Sequence, residues 1–183
     1  MKVKLAAKNL FFCVLILLFA VPRVFSLQIT SYQRNKDFAV KKEETRVFLN
    51  LVFVSLGYQE ESEFKKDVSS ITARLESTFP FSKFKGFKFF LLKVGSKEGK
   101  NIFKKSENFP YLKVRDDFIQ GLNNEIGGNY KLVILDKESN VSAAELSGIK
   151  DTSLIILGKN SFGKKNRLAK AFLHEFGHSL GLR

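Results

Sequence analysis

Two kinds of apolar pattern alternate along this chain: dense β-branched and aromatic runs, and stripes stepped by three and four residues. Arg46 to Leu56 (RVFLNLVFVSL) is the first dense run and predicts a buried strand, ended by Gly57-Tyr58. From Glu60 to Phe79 the apolar positions Phe64, Val68, Ile71, Leu75 and Phe79 fall at helical steps, and Pro80 closes that helix. Phe84 to Val94 (FKGFKFFLLKV) predicts a second strand, followed by a polar loop from Gly95 to Asn108. Arg115 to Ile126 carries Phe118, Ile119, Leu122 and Ile126 in helical spacing, with Gly127-Gly128 as the stop. Tyr130 to Leu135 and Ser153 to Leu157 are short apolar runs of the kind found in central strands covered on both faces. A last helix is expected from about Asn166 to Leu180, with Leu168, Phe172, Leu173 and Phe176 as its core contacts.

The order strand, helix, strand, helix, strand, strand, helix predicts an α+β fold, a twisted mixed β-sheet with helices packed against it. Leu27 to Glu44 reads as an extended polar lead-in. No repeat, low-complexity tract or Pro/Gly-rich linker interrupts residues 27 to 183, which are read as one domain.

Residues 1 to 26 are set apart from that domain. Lys2, Lys4 and Lys8 precede an unbroken apolar run from Leu10 to Val21, and Val24-Phe25-Ser26 offers a small-residue cleavage site, so this stretch reads as a secretory signal peptide. The expected location is secreted or extracytoplasmic, with an uncleaved N-terminal membrane anchor as the alternative. The leader holds four of the 31 basic residues and none of the 18 acidic ones, so 27 basic against 18 acidic residues leave the mature chain at +9. That sign favours contact with envelope polyanions or membrane surfaces, although scattered lysines commonly do no more than solvate a face. Cys13, the only cysteine, lies in the leader, so the mature chain has no disulfide to form and relies on packing. Twenty phenylalanines and no tryptophan suit an aromatic core. Asn140-Val141-Ser142 is a glycosylation sequon.

Both histidines of the chain fall in its last ten residues, His174-Glu175-Phe176-Gly177-His178-Ser179-Leu180-Gly181-Leu182-Arg183. Residues four apart on a helix lie about 40° apart around the axis, so His174 and His178 can turn two imidazoles toward one metal ion. Glu175 falls on roughly the same side. In this H-E-x-x-H spacing two histidines hold Zn²⁺ and the glutamate is the general base toward a metal-bound water, the chemistry of peptide hydrolysis. The competing reading is a chance match on a solvated helix. Against it stand the use of both histidines, the small Gly177, and Gly181 where helices commonly turn through a left-handed residue. The longer pattern H-E-x-x-H-x-x-G-x-x opens the metzincin signature, whose third ligand would fall at position 184, so the chain is expected to be the N-terminal part of a domain whose C-terminal part is missing.

Two other matches fail on spacing. Gly95-Ser96-Lys97-Glu98-Gly99-Lys100-Asn101 has three residues between its glycines where a phosphate loop needs four, and Asn101 where that loop needs Ser or Thr. Lys85 to Phe90 departs from the RNA-binding sheet motif at Lys88, and the pattern's aromatic position is filled by Leu92, so no specific nucleic-acid partner is expected.

Taken together, the chain resembles the M64 (IgA peptidase-like) family of metzincin-like zinc metallopeptidases. Val52-Phe53-Val54-Ser55-Leu56-Gly57-Tyr58 is similar to that family's first strand and Gly-Tyr turn, and Glu60, Glu61, Phe64 and Asp67 to the acidic start of its next helix. Pro80-Phe81, Phe84, Phe87, Tyr130 to Asp136 and the terminal helix extend the likeness over about residues 47 to 183. The resemblance implies a zincin-like upper subdomain, His174 and His178 as zinc ligands, Glu175 as catalytic base, Zn²⁺ as cofactor, and peptide or protein substrates. The spacing from His178 to the following leucine is one residue shorter than the family's pattern. The alternative is a catalytically inactive protease-like domain acting as a basic secreted binding module.

Overall fold

In the computed structural model the described residues are 29–32, 49–95, 99, 102–105, 112–127, 129–140, 142–145, 153–163 and 166–181. The proposed leader, the sequon's Val141 and the chain after Gly181 lie outside them. The fold is mixed α/β. Four parallel strands, β2 (Leu49–Leu56), β3 (Phe87–Lys93), β6 (Tyr130–Asp136) and β8 (Ser153–Leu157), form the centre of one sheet. The antiparallel strands β1 (Ile29–Tyr32) and β7 (Ala143–Glu145) flank them in the order β1-β3-β2-β6-β8-β7. A separate ribbon pairs β4 (Phe103–Lys105) with β5 (Leu112–Val114). Among the described residues three α-helices complete the fold: α1 (Glu61–Ser77), α2 (Asp116–Ile126) and α3 (Arg167–Ser179).

Chain direction decides which face each helix covers. From β2 the chain steps one way across the sheet to β3, then back past β2 to β6, and right-handed crossovers in opposite directions put their helices on opposite faces. Period-two alternation in the central strands feeds both. Leu51, Phe53, Phe89, Leu91, Val133, Leu135, Ile155 and Leu157 meet α1 and α3, while Val52, Val54, Leu132, Ile134, Leu154 and Ile156 meet α2 and the ribbon. Burial on both faces is why these strands lack polar alternation.

The apolar stripe of α1 is buried at Phe64, Val68, Ile71 and Leu75, but Phe79 is 77% exposed. The helix stops at Ser77 and Thr78 is extended, and Phe79, the residue preceding Pro80, is itself disfavoured in the helical region, so it does not join the stripe. The second strand begins at Phe87, later than expected, since Phe81–Lys83 form a 3-10 turn capped by Phe84. The expected loop after β3 contains β4. No helix among the described residues is long and apolar enough to cross a membrane.

Candidate functional site

Helix α3 is built to bury one side and present the other. Leu168, Ala169, Phe172, Phe176 and Ser179 are buried, and Leu173 is half-buried against the same core. Phe172 stacks on Phe176 at 5.3 Å and tilts against Phe53 of β2 at 6.1 Å, and Phe81 meets Phe176 edge-on at 5.2 Å. At 100° per residue the opposite side of the cylinder carries Arg167, Lys170, His174 and His178, all four exposed. The motif histidines therefore face solvent because the core claims the other side.

Their rings converge. The Nε2 atoms of His174 and His178 are 3.1 Å apart, with ring centroids at 4.5 Å and planes at 84°. Two imidazole lone pairs cannot face each other at that distance without a proton or a cation between them. Nitrogens bound at about 2.05 Å to a tetrahedral zinc lie about 3.3 Å apart, so the pair presents two of the donors such an ion takes. Glu175 is half-buried on the next position, and its carboxylate makes no hydrogen bond or ion pair among the described residues, which leaves it available as a base. No group of three or more His, Cys, Asp or Glu side chains suited to a metal occurs among those residues.

The helix end is fixed by three features. Gly181 takes a left-handed φ of 78°, and its N–H donates to the His178 carbonyl at 2.9 Å, as expected of a glycine closing a helix. The Ser179 hydroxyl donates to the Phe176 carbonyl at 2.7 Å. Lys131, on β6, donates through Nζ to the Ser179 carbonyl at 3.0 Å. A cation is favoured at a helix C-terminus, and burial holds this ammonium below the ordinary lysine range. Sequence reasoning passed over Lys131. Its signal was a charged residue beside the apolar run of a central strand, YKLVILD.

Lys131 also locates the site. It is the second residue of β6, so the C-terminal turn of α3 lies at the amino ends of the parallel strands. The carboxyl ends, where open α/β sheets commonly bind ligands, hold a different cluster. There the Tyr58 hydroxyl donates to Asp67 Oδ2 at 2.8 Å, and Lys137 lies 4.3 Å from the centre of the Tyr58 ring while pairing with Glu63. Gly57 has a φ of 71°, and a Cβ there would stand 2.8 Å from Glu138 Cγ. Burial, then the Asp67 charge, pushes the Tyr58 phenol far above the ordinary tyrosine range, and burial raises the Asp67 carboxyl. This end is packed.

No protein-family model matches the chain, and no curated protein is similar to it.

Proposed function

We propose that this chain is a zinc-dependent metallopeptidase domain of the M64, metzincin-like kind, secreted or extracytoplasmic, acting on peptide or protein substrates. The observation that carries the reading is the 3.1 Å convergence of two exposed imidazole nitrogens on one helix face, with a carboxylate of the same turn left without a partner. His174 and His178 would hold the ion, both in the tautomer that carries its proton on Nδ1. Zinc bound there would lower the pKa of water toward about 7 and polarise a carbonyl. Glu175 would accept a proton from the attacking water and return it to the leaving amine, a role that needs an unpaired carboxylate within hydrogen-bond reach. The burial of Leu168, Phe172 and Phe176 keeps both rings on the same side of the cylinder, which is the pre-organisation this chemistry requires. β7 is an edge strand of the sheet and packs beside α3, so its outer side supports pairing with an extended peptide backbone.

The test separates metal from base. Glu175→Ala should abolish chelator-sensitive cleavage of an unstructured protein substrate, a loss of at least about 100-fold, while stoichiometric zinc remains by atomic absorption. His174→Ala should lose both. Folded, zinc-free, inert wild-type chain would overturn the reading and favour the alternative, a basic binding module.

A further inference from the structure

Arg167 and Lys170 stand on the same exposed side of α3 as the histidines, at about 20° and 40° to either side of His174 around the helix axis. Along the axis they lie about 10 Å and 6 Å from His174. Neither side chain makes an ion pair or hydrogen bond among the described residues. The surrounding sequence offers them no counter-charge. Between Asp151 and Glu175 there are five basic residues, Lys159, Lys164, Lys165, Arg167 and Lys170, and no acidic one. Among the described residues three other surface cations do form ion pairs, Lys65 with Glu61, Arg115 with Asp117, and Lys137 with Glu63. A run of cations beside an exposed two-imidazole pair is costly to the free protein through self-repulsion and is relieved by an anionic occupant.

We propose that Arg167 and Lys170 select peptides bearing acidic side chains near the bond held at His174 and His178. This deepens the metallopeptidase reading and rests on it. An extended chain advances about 3.3 Å per residue, so 6 Å and 10 Å correspond to about two and three residues. The favoured substrates carry Asp or Glu two or three residues from the scissile bond, on the side that runs over the N-terminal half of α3. Arg167 offers a planar fork that binds a carboxylate through two parallel hydrogen bonds, whereas Lys170 acts as a point charge.

The experiment uses the full chain carrying Glu175→Ala, with zinc present, and fluorescence anisotropy of short peptides. The peptides share a central sequence and carry Glu or Gln at the second and third residues on either side of its middle bond. Glu on one side should bind about fivefold tighter than Gln at low salt, and the advantage should fade as salt screens it. Adding Arg167→Glu and Lys170→Glu should reverse the preference toward Lys-bearing peptides. The single substitution Lys170→Gln should reduce it by about half on a logarithmic scale. Equal affinity for Glu and Gln peptides overturns the proposal. So does equal binding when the acids are moved to the far end of the peptide, which would mark a surface for polyanions of any kind. Cleavage by the wild-type chain is the separate arm. If the Glu preference holds and no peptide is cleaved, the acidic-peptide surface stands and the metallopeptidase reading falls.

Discussion

Asp67 and the two histidines show how environment decides what a side chain can do. The imidazoles are exposed and their Nε2 atoms converge, whereas the Asp67 carboxyl is drawn inward under the Tyr58 hydroxyl and burial raises its pKa above the ordinary 3.8. The folded chain therefore holds that proton more tightly than the unfolded chain. The stability this group contributes is full below pH 3.8 and declines as pH rises through the window up to its folded value. At neutral pH the charge is a net cost, so Asp67→Asn, which keeps an oxygen to accept from Tyr58, should raise the thermal midpoint at pH 7 by about 2 °C. Thermal unfolding of both proteins between pH 4 and 7 checks this, because the gap should close toward the acid end. A gap of constant size would show that lost hydrogen-bond geometry, not ionisation, is at work. Nothing in the sequence announced this pair, since a tyrosine and an aspartate nine residues apart meet only after α1 folds back on the end of β2. The H-E-x-x-H spacing was legible because both rings belong to one helix, whose geometry is set by the backbone alone.

Secondary-structure elements became readable in proportion to their length. The 17-residue α1 and the 13-residue α3 each repeat their stripe often enough to be recognised, while β4, β5 and β7, three residues apiece, carry no periodicity to read. Phe79 misled because it kept the helical step past the point where Pro80 forbids the helix. The strand-to-helix contact from Lys131 was equally invisible, since it depends on α3 running antiparallel to β6. That contact makes a prediction at this scale. Lys131→Met keeps the apolar stem and removes the charge that meets the last turn of α3, so it should cost about 1 kcal/mol. The loss should appear as a lower urea midpoint with an unchanged slope. Hydrogen exchange should quicken at Leu180 and Gly181, whose N–H groups close the helix, more than at Leu168 or Ala169. Uniform quickening along α3 would mean that Lys131 supports the core and not the helix end.

The whole molecule sets its two polar clusters at opposite ends of one parallel sheet. β6 runs seven residues from Tyr130 to Asp136, so its ends are about 20 Å apart at 3.3 Å per residue. The Tyr58, Asp67 and Lys137 cluster closes the carboxyl end, and the imidazole pair lies with the helix turn that Lys131 holds at the amino end. Fold alone points to the other end, because open α/β sheets commonly take ligands at the carboxyl ends of their strands. Here Glu138 packs against Gly57 there and the rings of Tyr58 and Phe162 meet edge-on at 6.2 Å. The two ends give separable readouts. Titration of the isotope-labelled chain with zinc should move amide resonances of His174 to Gly181 and of Lys131. The amides of Gly57, Tyr58 and Glu138 should stay in place, because 20 Å is about twice the screening length at 0.1 M salt. Movement confined to the carboxyl end would place the metal on Asp67 and its neighbours and remove the histidine pair from the chemistry. Movement at both ends in a single binding phase would instead require that α3 shift against the sheet, and the tight packing of Phe172 on Phe53 makes that shift costly.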